Sequence, residues 1–585
     1  MKELNSAYQI GEMVPNIATL LRRNSVKFRD SYVFQAKNSE GVYDGIVWEY
    51  FYDEINRIAV NLKQLGFKKG DKMVLFSTNR LEMLELELAV MAYGGIAVPL
   101  YSHFKQETAE LLINHSEANW MAVAGQEQMD NIGGELRQLR SIFHFDNVDD
   151  KRYKNLIPFS YLKKDITQNK GSCLNETISP DAICLNMYTS GTMGIPKCVQ
   201  LSHKNILSQQ AALDVIWDVD KNDRFLSYLP WHHSFGGIFE LFTILYNGAT
   251  LYLESSFGKD VDSIFENWRF VQPTIFFSVP KVYQALYEKT LANQEAEDRF
   301  FNSGLKFIFT AAAALPIKLS IEFQKRNIPV IEGWGLTETS PCCTLTDPNV
   351  KRTAGVVGKP IPGVSVRIAN DDEIQVKGPN VMVEYYNNDE ANENIFTEDG
   401  WYRTGDVGEI METGLKLVSR KDRIFKLSNG EKVVPTDLEK VIQLKCHYVQ
   451  HVIISGSGKD YPVALIFPNN RILKKPDYQI SPDEGCFCPR SLNELGKCLQ
   501  GCLHDANCDI KQKFSKIKSA AIIDSELSLE DRTLTPSMKV APNNVLEKYK
   551  EHLMNMYGEN VPTDEEVFVV ELDVKNLKAR KIVQN

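Results

Sequence analysis

Short apolar, β-rich runs alternate with helix-patterned segments along much of this 585-residue chain. That rhythm limits the folds open to it. Residues 49–65 place Tyr52, Ile55, Ile58, Ala59 and Leu62 on one side of a helix, which Gly66 and the turn Lys69-Gly70-Asp71 close. The β-rich run 72–77, a helix over 82–93 and a strand over 95–101 follow, and the same rhythm returns from Asp181 to Pro341. Such alternation predicts mainly parallel sheets covered by helices. Beyond about Pro360 the texture changes. Short strands near 364–368, 373–376 and 415–418 are separated by Gly, Asn and Asp turns, which reads as a β-rich region. A smaller α+β pattern with a charged C-terminus follows Lys421, and the boundary is placed at 419–422, a charged link without apolar periodicity.

Composition narrows the classes further. With 66 Lys+Arg against 76 Asp+Glu the net charge is −10, and 43% of residues are hydrophobic. These values describe a globular chain and argue against a general nucleic-acid binder, which needs clustered cations. They leave room for a nucleotide site, where a few backbone amides and one or two cations suffice. No run reaches the roughly 18 apolar residues of a spanning helix; the richest, 84–100, is interrupted by Glu85 and Glu87. The N-terminus lacks a secretory pattern. The 11 cysteines are scattered and odd in number, which fits reduced thiols and a cytoplasmic protein.

The most informative segment is Tyr188-Thr-Ser-Gly-Thr-Met-Gly-Ile-Pro-Lys197. It follows the apolar run 182–187, so it is a loop leaving a strand. Thr189, Ser190 and Thr192 supply hydroxyls, Gly191 and Gly194 let backbone amides approach an anion, and Lys197 adds a mobile positive charge. The loop is not a Walker A sequence. Taken alone it is open to two readings, an ordinary Gly/Ser/Thr turn or a phosphate cradle.

Five further motifs stand in order behind it. They are Leu229-Pro-Trp-His-His-Ser-Phe-Gly236, Gly333-Trp-Gly-Leu-Thr-Glu-Thr-Ser-Pro341, Tyr402-Arg-Thr-Gly-Asp406, the segment 419–430 ending Ser-Asn-Gly430, and Leu534-Thr-Pro-Ser-Met-Lys539. Together the six resemble the adenylate-forming superfamily of acyl-CoA synthetases, luciferases and peptide-synthetase adenylation domains, and the last is most like long-chain fatty acyl-CoA synthetases. The resemblance covers nearly the whole chain. It implies an α/β fold, with a large N-terminal adenylation lobe of several subdomains over residues 1–419. A small mobile α+β lobe over 420–585 would carry the catalytic lysine.

The resemblance also assigns roles. Lys539 would contact both the substrate carboxylate and the α-phosphate of ATP, offsetting repulsion between two anions. Glu338, with the hydroxyl of Thr192, would hold Mg²⁺ through hard oxygen ligands. Ala312, Ala313, Trp334, Gly335 and Thr337 would contact the nucleotide, with Trp334 stacked on adenine. Asp406 would accept the ribose hydroxyls, helped by Arg420. His233 would lie near the carboxylate and the acyl entrance, with a weaker claim for His232. Asp422 would be the hinge, and Gly430 would lie on the face used in the CoA step.

Some residues depart from the family pattern. Met193 stands where Thr is common, Cys198 where Gly is usual, and Glu384 precedes Tyr385 at another usual glycine. The expected activity is conversion of a fatty acid, ATP and CoA to acyl-CoA, AMP and pyrophosphate. The rivals are an acyl-AMP ligase that loads a carrier protein and a silent nucleotide-binding interaction protein. Contact with a membrane surface would suit long acyl substrates, though no amphipathic anchor is evident; the oligomeric state is open. Cys486, Cys488, Cys498, Cys502, Cys508 and His504 invite a zinc reading, yet they lack paired C-x-x-C knuckles. Leu492, Leu495, Cys498, Leu499, Cys502 and Leu503 follow helical spacing, so Cys498 and Cys502 read as small core residues.

Overall fold

A computed structural model describes residues 2–133, 136, 138–165, 172–189, 196–301, 304–311, 315–353, 355–446, 448–473, 489–528, 530–535, 540–559, 567–571 and 578–582. The chain divides into two units. The first comprises residues 1–189, 196–404 and 409–416. The second comprises 190–195, 405–408 and 417–585.

Two large sheets organise the first unit. In one, Lys72–Phe76 runs parallel between Ile96–Leu100 and Trp120–Val123, and Ser141–His144 and Leu156–Pro158 extend the parallel series outward. Ile183–Thr189 joins on the other side, also parallel, and Lys197–Ser202 folds back antiparallel beside it. The two residues Glu384–Tyr385 complete that edge. The second sheet has six parallel strands, in the order Val330–Trp334, Phe307–Thr310, Ile275–Ser278, Arg224–Ser227, Thr250–Leu253 and Tyr32–Lys37. Antiparallel strands cap both ends of it. The α/β class expected from the sequence is what the chain adopts.

The helix pattern read over 49–65 is the helix Trp48–Gln64, which buries Phe51, Ile55, Ile58, Ala59 and Leu62. The β-rich region is a five-stranded sheet in which Ser365–Ile368 lies between Glu373–Lys377 and the N-terminal strand Lys2–Asn5. Tyr402–Met411 and Gly414–Arg420 finish it.

In the second unit the strands Val449–Ser455, Val463–Pro468 and Ser519–Ile522 show how alternation builds two cores from one sheet. Val452, Ile454, Ala464, Ile466, Ala520 and Ile522 face the helices Pro435–Lys445 and Leu492–Asp509. Ile453, Val463, Leu465, Phe467 and Ala521 face Val545 and Leu553 on the helices Pro542–Lys548 and Lys550–Met556, and Tyr549 between them. Val567–Glu571 and Lys578–Ile582 extend the sheet.

The helix Leu81–Tyr93 is buried from Met83 to Ala92, including Glu85 and Glu87. Glu85 pairs with Lys163 at 2.6 Å. Glu87 is 2% exposed and has no hydrogen-bond partner among the described residues. Burial therefore pushes its carboxyl from the ordinary 4.5 up to about 8. The folded chain keeps that proton where the unfolded chain has lost it. This contribution to stability is full below about pH 4.5, falls as pH rises toward 8, and is gone above. Glu87→Gln should match wild type near pH 5. At pH 9 it should exceed wild type by roughly 2 to 4 kcal/mol in urea unfolding; parallel pH profiles for the two proteins would refute a protonated Glu87.

Candidate active site

Within the first unit the phosphate-loop motif begins and ends on paired strands. Thr189 lies opposite Lys197, and its hydroxyl donates to the Lys197 carbonyl at 3.4 Å. Residues 190–195 connect the two strands; Ser190, Gly191, Thr192 and Gly194 lie outside the described residues, as do Ala312, Ala313 and Lys539. The Lys197 ammonium sits 4.8 Å from the centre of the Tyr385 ring, a cation–π contact in a buried setting. Tyr385 is 3% exposed, and its hydroxyl donates to Glu338 Oε1 at 2.7 Å.

Glu338 comes from a single 3₁₀ turn, Thr337–Thr339, that follows the strand Val330–Trp334. Its carboxylate is buried at 9% exposure. Its second oxygen has no hydrogen-bond donor among the described residues. The turn is held from several sides. Met382 N–H donates to the Glu338 carbonyl at 2.8 Å, and the Asn380 amide donates to the carbonyls of Thr339 and Cys342. Gln209 donates to the Ser340 carbonyl and accepts the Cys342 N–H at 2.6 Å. Gly335 cannot be replaced here, since a Cβ would stand 1.7 Å from the Pro341 carbonyl oxygen. Trp334 is 7% exposed at the strand end, paired in register with Thr344.

The histidine motif reaches the same turn. Ser234 and Thr337 share a hydroxyl–hydroxyl bond of 3.0 Å. His233 Nδ1 accepts the backbone N–H of Phe235 at 3.2 Å, which leaves the ring proton on Nε2 as a donor. The chain then enters a π-helical turn, Phe235–Glu240, a form often found beside functional sites. Gly236 and Gly237 permit it, because a Cβ on either would meet the carbonyls of residues 229–231. His232 is a different case. Burial and the neighbouring His103 push it down to about 3, so it is neutral and packs on the Tyr101 ring.

Three motifs scattered from residue 189 to 338 are thus joined through Tyr385 and Ser234. The sequence marks Tyr385 only as part of an imperfect motif. Its link to Glu338 spans 47 residues and depends on pairing at a sheet edge, a contact without a local sequence signal.

Four other predicted residues fall in the second unit. Arg420 Nη1 pairs with Asp406 Oδ1 at 2.9 Å, and Arg420 Nε lies 3.9 Å from Asp422. Gly405 has φ +70, and a Cβ there would come within 3.3 Å of Arg420 Nη2. Asp422 lies in the short turn Lys421–Arg423. Gly430, at φ +84, closes the turn between Phe425–Lys426 and Lys432–Val433, where Gly430 N–H donates to the Leu427 carbonyl.

The model of the AMP-binding enzyme family matches residues 22–386, and that of the AMP-binding enzyme C-terminal domain matches 422–561. The chain belongs to the AMP-binding enzyme family. Among curated members it is similar to fatty acyl-CoA synthetase A of Dictyostelium discoideum, at 26% identity over 90% of this chain and 87% of that protein. It is likewise similar to the peroxisomal long chain acyl-CoA synthetase 7 of Arabidopsis thaliana, at 27% identity over 88% and 83%. The fold matches ATP-bound MatB from Rhodopseudomonas palustris with a TM-score of 0.72 and 22% identity, covering 92% of this chain and 99% of MatB. It also matches MenE from Bacillus subtilis, solved with ATP and magnesium, with a TM-score of 0.68 and 22% identity over 90% and 98%. Family membership and these relatives support an acyl-CoA ligase. No described helix of this AMP-binding enzyme is long and apolar enough to cross a membrane.

The Tyr385–Glu338 bond joins a neutral donor to a buried carboxylate, a class that contributes about 1.5 to 3 kcal/mol. Tyr385→Phe should lower unfolding stability by about that amount. In a double-mutant cycle with Glu338→Gln the coupling energy should exceed about 1 kcal/mol, whereas coupling below about 0.5 kcal/mol would mean the two groups act independently.

Proposed function

We propose that this chain is an ATP-dependent long-chain fatty acid–CoA ligase. Support comes from the convergence of Lys197, Tyr385, Glu338, Thr337, Ser234 and His233 in one unit, on a chain of the AMP-binding enzyme family. The relatives named as a fatty acyl-CoA synthetase and a long chain acyl-CoA synthetase, and the sequence 534–539, support the fatty acyl substrate.

In the first half-reaction a carboxylate oxygen of the fatty acid attacks the α-phosphorus of ATP and pyrophosphate departs. Both reactants are anions, so placed cations and hydrogen-bond donors must hold them in line. Lys197, Arg420 and Lys539 are assigned that work, with Lys539 at the reacting oxygens. The buried carboxylate of Glu338, oriented by Tyr385, has the oxygen chemistry to hold Mg²⁺, with Thr192 as a second donor. When bound, that ion would neutralise phosphate charge. His233 Nε2–H is a donor for the substrate carboxylate. Asp406, oriented by Arg420, takes the ribose hydroxyls. In the second half-reaction the CoA sulfur attacks the acyl carbon, AMP leaves, and the thiol proton passes to solvent. Asp422 is assigned the hinge between the two steps and Gly430 the thioester step.

The test is CoA thioester formation by the full chain across C2 to C20 acids. The expected result is acid-dependent pyrophosphate release that becomes thioester on addition of CoA, with a preference for long chains. Pyrophosphate release without thioester would instead indicate transfer to another acceptor, and absence of acid-dependent release across the whole panel would indicate a silent protein. Lys539→Ala should reduce activity from free acid by at least about 100-fold while retaining thioester formation from supplied acyl-adenylate. Equal loss in both assays would overturn the division of labour.

A further inference from the structure

The second unit carries a feature that acid activation does not use. Cys446 caps the C-terminal end of the helix Pro435–Lys445, and Cys498 and Cys502 stand one turn apart on the helix Leu492–Asp509. Residues four apart share a helix face, and here that face meets the end of the neighbouring helix. The three sulfur atoms all lie within 4.8 Å of one another. Cys446 and Cys498 are buried, and Cys502 is partly exposed. The sequence spacing invites a zinc reading of Cys486 to Cys508 but favours small core thiols at Cys498 and Cys502. The structure changes the set. Cys508 is exposed and outside the trio, Cys486 and Cys488 lie outside the described residues, and Cys446 arrives from 52 positions earlier in the chain.

We propose that Cys446, Cys498 and Cys502 form a three-thiolate site for a thiophilic divalent cation of the Zn²⁺ class. Zinc–sulfur bonds of about 2.3 Å place thiolates about 3.8 Å apart, a separation the trio reaches with small rotations of its side chains. Two buried sulfurs and one reached by solvent give an ion an entry path and leave a fourth position for water. Three core thiols need no convergence to pack, whereas a metal requires it. Binding exchanges three S–H bonds for three metal–sulfur bonds and releases three protons to solvent, leaving the complex with one negative charge. A monovalent soft ion would leave two negative charges in the same apolar surroundings, so a divalent ion is favoured. Hard ions such as Mg²⁺ and Ca²⁺ are excluded by their weak affinity for sulfur. The bound ion would fasten the end of one helix to the middle of the next.

The experiment uses the full chain, reduced and metal-free, titrated with Cd²⁺ as the spectroscopic stand-in for Zn²⁺. The expected result is thiolate-to-metal charge-transfer absorption that saturates at one equivalent. Zn²⁺ should displace it and Mg²⁺ should not, and binding should raise the melting temperature of the second unit's transition. Cys502→Ala, at the partly exposed position, should weaken binding at least tenfold while circular dichroism stays unchanged, and Cys446→Ser should do the same or more. The combined Cys486→Ser, Cys488→Ser and Cys508→Ser variant should bind as wild type. The proposal is overturned by absence of a one-equivalent band, by survival of that band in both Cys502→Ala and Cys446→Ser, or by its loss in the combined variant. The result is independent of acyl-CoA formation, so it stands or falls apart from the ligase reading.

Discussion

The first unit depends on a buried polar seam that joins its two large sheets. The helix His203–Ile216 is buried at His203 and from Asn205 to Leu213, and polar residues there would be costly without partners. Ser202 and Asn205 cap its start reciprocally, and the Asn205 amide then donates to the carbonyls of Pro379 and Val381. Gln209, one turn on, holds the backbone of Ser340 and Cys342. Asn380 and Ser340 bond across the gap, and Val383 N–H donates to Gln200 on the first sheet. These amides cannot be moved singly, because each satisfies backbone groups of another segment. The carboxylate of Glu338 and the ring of Tyr385 sit within that seam, so their positions are set by backbone bonding and not by side-chain choice alone.

The same seam holds the edge strand beside which the sequence departs from the family pattern. Cys198 stands where glycine is usual, yet its side chain is fully buried and its carbonyl still accepts the Tyr386 N–H. That bond and the Glu384–Tyr385 pairing fix the edge strand on which Tyr385 is carried. Lys72, stacked 4.0 Å from the Tyr386 ring, adds a second cation–π contact beside that of Lys197 on Tyr385. Met193 is outside the described residues, but the strands bracketing its loop are in full register from Thr189 and Lys197 to Leu185 and Leu201.

How much of this was legible in the sequence follows from the range of each interaction. Helix Trp48–Gln64 and strand Lys72–Phe76 announce themselves because burial on one face or both leaves a local period. The order of the six motifs carries the family resemblance without reference to any contact. Non-local pairing left no such trace. Lys2–Asn5 pairs with Ser365–Ile368, and Tyr32–Lys37 enters a sheet whose next strand is Thr250–Leu253; nothing in either segment specifies its partner. Charge misled in one place. Glu85 and Glu87 read as polar interruptions of an apolar run, yet both are buried, one paired with Lys163 and one pushed toward its neutral form.

The second unit shows the same rule from the other side. Alternation along Val449–Ser455 and Val463–Pro468 made two apolar faces, and helical spacing in 492–503 foretold which residues would cover one of them. Sequence spacing alone grouped the cysteines by nearness in the chain. The fold regroups them by the packing of two helices, keeping Cys498 and Cys502, leaving Cys508 exposed and recruiting Cys446. Arg420 is regrouped in the same way: it stands 14 residues from Asp406, and the return of one strand beside the other makes them one ion pair. Chemistry in this protein is therefore assembled at strand ends and helix ends, where segments with strong local patterns stop and segments with none are held by hydrogen bonds. The residues hardest to foresee, Tyr385 and Cys446, are those whose contacts are defined only by what the fold places opposite them.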